Sequence, residues 1–183
     1  MITLITGGSR SGKSAYAEKL LDGIDDVVYI ATAEIYDDEM QERVKKHIKR
    51  RNPKWRTYEG FLNLEKAVNG EKHYLLDCVT NLISRILFQI TGEKEKPCEE
   101  DIQKTIDISL TQIKNLILEI KKINGSLILV TNEVGSSIVP MHPVSRAFSD
   151  IQGIVNAKIA ELADEVVLCV CGLPIKIKDG ASI

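Results

Sequence analysis

The stretch Thr6-Gly7-Gly8-Ser9-Arg10-Ser11-Gly12-Lys13-Ser14 decides the fold, because Gly7 to Ser14 fits G-x-x-x-x-G-K-[ST] between a strand-like and a helix-like run. Before it, Ile2-Thr3-Leu4-Ile5-Thr6 is apolar and β-branched; after it, KSAYAEKLL from Lys13 spaces Tyr16, Leu20 and Leu21 for one side of a helix. Glycines let the backbone fold tightly enough for successive N–H groups to face phosphate oxygens, and the helix N-terminus adds partial positive charge. On this reading Gly7, Gly8, Ser9, Arg10, Ser11 and Gly12 form a phosphate cradle. Lys13 meets the terminal phosphates, and Ser14 offers its hydroxyl to Mg²⁺. A glycine turn that only joined two elements would have no need of a Lys-Ser pair at the helix start.

The strand, loop and helix plan repeats downstream. Val27 to Ala31 reads as a strand, Asp37 to Arg51 as a helix, Tyr74 to Asp77 as a strand and Asn81 to Ile90 as a helix. GEKEKPCEE from Gly92 to Glu100 is a polar, exposed connection. A long amphipathic helix then runs from about Asp101 to Asn124, its apolar face carrying Ile102, Ile106, Leu110, Ile113, Leu116, Ile117 and Ile120, and Asn124-Gly125 ends it. Ser126 to Thr131 is the next strand, Val144 to Ala163 the next helix. Val166 to Val170 and Ile175 to Lys178 form a hairpin around Gly172-Leu173-Pro174 at the sheet edge. Such alternation predicts an α/β fold with a mostly parallel central sheet, helices on both faces and an edge hairpin at the C-terminal end, in one domain spanning 1–183.

Composition agrees with one folded domain. The 183 residues hold 24 Lys+Arg against 26 Asp+Glu, a net charge of −2, with 44% hydrophobic and 27% charged residues. That balance speaks against disorder and against binding nucleic acid through bulk charge. No apolar stretch approaches the roughly 18 residues of a membrane span and no signal peptide is legible, so a cytosolic protein is expected. Cys78, Cys98, Cys169 and Cys171 lack zinc or redox spacing and read as buried reduced thiols.

A phosphate loop works with a carboxylate at the end of a neighbouring strand, and Asp77 after Tyr74-Leu75-Leu76 is the first choice to hold Mg²⁺ through water. Asp77 would alternatively cap the helix that starts near Thr80, and Glu133 after Leu129-Val130-Thr131-Asn132 is the other candidate carboxylate. The segment 37–51 places Asp37, Asp38 and Glu39 first and Arg43, Lys45, Lys46, His47, Lys49, Arg50 and Arg51 after them. Helical spacing puts Arg43, His47, Arg50 and Arg51 on one face. Surrounding positive charge favours the neutral, nucleophilic imidazole of His47, and the arginines would bind a phosphate anion; a solvated basic face with an incidental histidine is the plainer reading. His73 and His142 read as structural or surface residues, and Trp55 as a packing residue.

These motifs together resemble the bifunctional adenosylcobinamide kinase/adenosylcobinamide-phosphate guanylyltransferase family of cobalamin biosynthesis. The likeness rests on Thr6 to Ser14, Tyr29-Ile30-Ala31-Thr32, Asp37 to Met40 with Arg43 and His47, and Trp55-Arg56-Thr57 with Glu59. It continues through Val130 to Gly135, Ile138-Val139-Pro140, Asp150 to Asn156, Ala163 to Val166 and Gly172 to Lys176. The resemblance implies a phosphate-loop fold like the nucleotide-binding core of recombinases, assembled as a homotrimer. It implies phosphorylation of adenosylcobinamide by ATP or GTP, then transfer of GMP from GTP to adenosylcobinamide phosphate, giving adenosylcobinamide-GDP. By position, His47 would carry GMP covalently. Nucleotide contacts would fall on Gly7 to Ser14, on Thr32, Ala33 and Glu34, on Ile48, Lys49, Arg50 and Arg51, and on Glu59 and Asn81. The rival readings are a small-molecule kinase with no covalent intermediate and a nucleotide-dependent switch protein.

Overall fold

β1 (Ile2–Gly7) is buried at all six positions, which suits a strand with neighbours on both sides and helices on both faces. In the computed structural model, which describes residues 1–34, 42 and 51–180, β1 lies inside a seven-stranded sheet. Its other strands are β2 (Val27–Ala31), β3 (Arg56–Glu59), β4 (His73–Asp77), β5 (Ser126–Val130), β6 (Glu165–Val170) and β7 (Leu173–Lys178), in the order β3-β2-β4-β5-β1-β6-β7. All pairs are parallel except β6 with β7. The α/β architecture expected from the sequence is therefore present.

Alternation along each strand divides the apolar residues between two cores. Ile2, Leu4, Val28, Ile30, Tyr74, Leu76, Leu127 and Leu129 face the larger one, closed by α2 (Val79–Thr91), α3 (Glu99–Lys122) and α4 (Pro143–Leu162). Ile5, Tyr29, Leu75, Val130 and Val167 face the smaller one, closed by Ala17 and Leu21 around α1 (Lys13–Leu20) and by Trp55. Trp55 packs as expected and also donates its Nε1–H to the Ile24 carbonyl at 2.7 Å.

Local chemistry sets the ends of the long helix. Glu99, Glu100 and Asp101 lie in the first turn of α3 and Lys121 and Lys122 in the last, each where the helix dipole favours its charge. The Asp101 carboxylate accepts from the Cys98 amide at 3.0 Å. At the other end Asn124 takes φ 53°, and the amides of Asn124 and Gly125 bond back to Lys121 and Ile120, the Schellman pattern.

Three expectations need correction, and a fourth lies outside the described residues. β3 reads as no strand in the sequence, because a four-residue edge strand with every second residue exposed carries no apolar run. The hairpin turn falls on Cys171-Gly172, whose φ values of 52° and 80° suit a two-residue primed turn; Leu173 and Pro174 already belong to β7, an edge strand that tolerates proline. Cys98 and Cys171 are exposed, one on the polar connection and one in this turn, and only Cys169 is fully buried. The helix expected over Asp37 to Arg51 lies, except for Glu42 and Arg51, outside the described residues. Among the described residues no helix is long and apolar enough to cross a membrane.

Candidate functional site

The loop between β1 and α1 is shaped by two glycines and the edge hairpin. Gly7 has φ 149°, and a Cβ there would run into the Cys169 carbonyl of β6; Gly12 has φ 95°, and its Cβ would stand 3.2 Å from Gly172 Cα. Side chains at either position would push the loop off the hairpin. The Gly172 amide donates to the Ser11 carbonyl at 3.1 Å, fixing the loop from that side. Gly8, Ser9 and Arg10 are exposed, and Ser14 in the first turn of α1 is half-buried. No side chain caps α1, so its first amides are free of side-chain competition, as an anion cradle requires.

Lys13 is only 7% exposed and donates from Nζ to the Gly8 carbonyl at 2.6 Å. Burial pulls its pKa below the ordinary lysine value, while Cys78, Asp77 and Cys169 nearby oppose that shift. A cation held in a dry site acts on a bound oxyanion with little screening.

Strand register brings the other candidates to the same edge of the sheet. Ala31 is paired with Glu59 on one side and with Asp77 on the other; Asp77 is in turn paired with Val130, and Val130 with Ile5. Thr32, Ala33, Glu34, Glu59, Asp77, Glu133 and the phosphate loop thus all lie at or just beyond the carboxyl ends of parallel strands, where open α/β sheets collect ligands. Asn81 is half-buried in the first turn of α2, and Glu59 is exposed. Thr32 ties β2 to β4: its hydroxyl donates to the Cys78 carbonyl at 2.6 Å and accepts from the Cys78 amide at 2.9 Å. The Cys78 thiol is pushed up to about 12, chiefly by burial. Arg85 of α2 ion-pairs with Glu34 at 3.1 Å and stacks over Phe61 at 3.9 Å from its centroid.

Asp77 makes one contact that the sequence does not announce. The buried Tyr29 hydroxyl donates to Asp77 Oδ2 at 3.0 Å, and the Arg51 guanidinium lies 3.4 Å from the centroid of the Tyr29 ring. The α2 N-cap is Cys78 and no side chain caps that helix, so the capping alternative is not what the Asp77 carboxylate does. Glu133, the other candidate carboxylate, is half-buried, and its amide donates to the Gly7 carbonyl at 3.0 Å. Behind it, Thr131, Gln152 and Asn156 form a buried hydrogen-bonded group that also holds the Asn132 carbonyl. Sequence reasoning passed over this network; its signal was Gln152 and Asn156, four apart among the apolar positions of α4. Arg43, His47, Ile48, Lys49 and Arg50 lie outside the described residues, and of the basic cluster only Arg51 is described. Among the described residues no group of three or more His, Cys, Asp or Glu stands where it could hold a metal ion.

With this geometry in view, the family described as cobinamide kinase / cobinamide phosphate guanyltransferase matches residues 3–177. The chain belongs to this family. It is 41% identical over 182 residues to the bifunctional adenosylcobalamin biosynthesis protein CobU of Escherichia coli K12, covering 97% of this chain and 100% of that protein. The corresponding CobU of Salmonella typhimurium LT2 is 40% identical over 185 residues, again covering 97% and 100%. CobP of Pseudomonas aeruginosa PAO1 is 34% identical over 189 residues, covering 97% and 98%. A crystal structure of a KaiC-like protein from Pyrococcus horikoshii OT3 aligns with 91% of this chain and 69% of its own at a TM-score of 0.47 and 16% identity. As a family member the chain is a nucleotide-using transferase, a cobinamide kinase and cobinamide phosphate guanylyltransferase.

Proposed function

We propose that guanylyl transfer runs through His47. The Nε2 or Nδ1 lone pair attacks the α-phosphorus of GTP, a nitrogen–phosphorus bond forms, and the bond from the α-phosphorus to the bridging oxygen breaks with pyrophosphate as leaving group. A phosphate oxygen of adenosylcobinamide phosphate then attacks the same phosphorus and releases the imidazole, giving adenosylcobinamide-GDP. Covalent catalysis divides a transfer between two anions into two displacements. The observation that supports this most is the position of Arg51, four residues after His47, against the Tyr29 ring whose hydroxyl meets Asp77 at the phosphate-loop edge.

Within this reading Lys13 and the amides of Gly7 to Ser14 hold the triphosphate, and Thr32, Ala33, Glu34, Glu59, Asn81, Ile48, Lys49, Arg50 and Arg51 line the nucleotide site. Arg50 and Arg51 offset charge on the transferring phosphorus. Ser14 and Asp77 fit Mg²⁺: both offer hard oxygen, and Mg²⁺ takes one or two protein ligands beside phosphate oxygens and waters. When bound, the ion screens charge between phosphate oxygens. A cleft of about 760 Å³, lined by Ile102, Val134, Ile138, Val139, Arg146 and Gly153, opens from the turn after Glu133 and suits the cobinamide end of the substrate. The reading carries with it one catalytic domain over 1–183, a homotrimer and a cytosolic setting.

The test is retention of radiolabel from [α-³²P]GTP on denatured protein, with an acid-labile and base-stable bond. His47→Ala is expected to abolish the label while leaving substantial kinase activity. Label retained by the variant would move the nucleophile elsewhere, and no label on the parent protein would favour the plain kinase.

A further inference from the structure

We propose that Tyr29 is a positioning residue that couples the basic segment ending at Arg51 to the carboxylate beside Lys13. This rests on the guanylyl-transfer reading, since Arg51 matters here as the residue four beyond His47. Three observations converge on Tyr29. It is 4% exposed and belongs to the smaller core with Leu75, Val27 and Trp55. Its hydroxyl donates to Asp77 Oδ2 at 3.0 Å. Its ring face carries the Arg51 guanidinium at 3.4 Å. One rigid side chain therefore touches both charged groups that the proposed transfer needs aligned, one through its ring face and one through its hydroxyl.

Strand geometry explains why a tyrosine serves. Tyr29 pairs directly with Leu75 and Ala31 with Asp77, so Tyr29 is the diagonal neighbour of Asp77 on the same face, within reach of a long aromatic side chain. The hydroxyl occupies Oδ2, one of the two carboxylate oxygens. The guanidinium is planar and rides on the ring face, a geometry that an ammonium does not reproduce. The result is a continuous set of contacts from Asp77 through Tyr29 to Arg51.

The two contacts separate by substitution. Tyr29→Phe keeps the ring under Arg51 and loses only the bond to Asp77; Tyr29→Leu loses both. Mg²⁺ titration of fluorescent GTP binding and the rate of [α-³²P]GMP labelling are measured on each, with thermal melting as the check on folding. Tyr29→Phe is expected to raise the Mg²⁺ midpoint for GTP binding several-fold and to regain near-normal labelling at saturating Mg²⁺. Tyr29→Leu is expected to label more than tenfold more slowly even then. If Tyr29→Leu does not fold, Tyr29→Met, which fills the same core but offers no ring face to Arg51, supplies the second arm, with the same slowed labelling at saturating Mg²⁺. Equal behaviour of the Phe and Leu variants, or an unmoved Mg²⁺ midpoint in Tyr29→Phe, would overturn the assignment. Absence of label on the parent protein would instead remove the guanylyl reading while the binding titration still reports on the Tyr29 to Asp77 contact.

Discussion

The amide of Glu133 donates to the carbonyl of Gly7 at 3.0 Å, so the turn after β5 is hydrogen-bonded to the residue that begins the phosphate loop. β5 lies between β1 and β4 in the sheet. Two carboxylates therefore flank the loop from successive strands, Glu133 through its backbone and Asp77 through the field it exerts on Lys13.

Asp77 and Glu133 are distinguished by charge removal. Asp77→Asn keeps an oxygen that can accept from Tyr29 but loses the charge, so the Mg²⁺ concentration needed for half-maximal GTP binding should rise several-fold, with a stability change of about 1 kcal/mol or less. An unchanged Mg²⁺ midpoint in Asp77→Asn, with a raised one in Glu133→Gln, would transfer the assignment to Glu133.

Lys13→Ala should depress kinase and guanylyl transfer together, each by roughly a hundredfold or more, since both reactions place the same triphosphate on the same loop. Phosphorylation of cobinamide and pyrophosphate release are assayed separately. A loss confined to one of them would mean that the two reactions bind their nucleotide differently.

Gly153 lines the cleft beyond Glu133, and a Cβ there meets nothing within 4 Å. Gly153→Leu should therefore fold, raise KM for cobinamide phosphate by about tenfold or more, and leave labelling by GTP unchanged. An unaltered KM would put the corrinoid elsewhere.

Stability should depend on pH through Asp101. The Cys98 amide and then the Lys94 ammonium hold its carboxyl down to about 2, against roughly 3.9 for an unfolded aspartate. A depressed folded pKa gives stability that is complete above the unfolded value and is lost as pH falls through the folded one. The Tm difference between the parent protein and Asp101→Asn should hold steady down to about pH 5 and close between about pH 4 and 2. A difference that persists undiminished at pH 2 and below would mean that shape, not charge, carries the cap.

The parts of this molecule legible in its sequence are those whose information is local. The phosphate loop announces itself because glycines, lysine and serine sit within one strand-to-helix turn, and α3 because its apolar spacing runs unbroken to the Asn124-Gly125 stop. Tyr29 was visible as a strand residue only. Its partner Asp77 is 48 positions away, and the diagonal contact depends on β2 lying next to β4. β3 escaped because an edge strand has one buried neighbour and writes no apolar run. Pro174 suggested a turn where an edge strand needs none of its missing N–H, which displaced the hairpin turn by one to two residues.

The hairpin's hold on the phosphate loop has a consequence for biosynthesis of the chain. β1 is made before its two partners, β5 and β6, and the loop it carries is braced by Cys169 and Gly172. A chain stalled before β6 has the nucleotide motif in full and the Glu133 amide on Gly7, but not the hairpin that braces the rest of the loop. Contacts of such long sequence separation form late and slowly. Nucleotide affinity should therefore arrive only once β6 and β7 have been made, and a ribosome-stalled chain lacking them should not compete for cellular GTP.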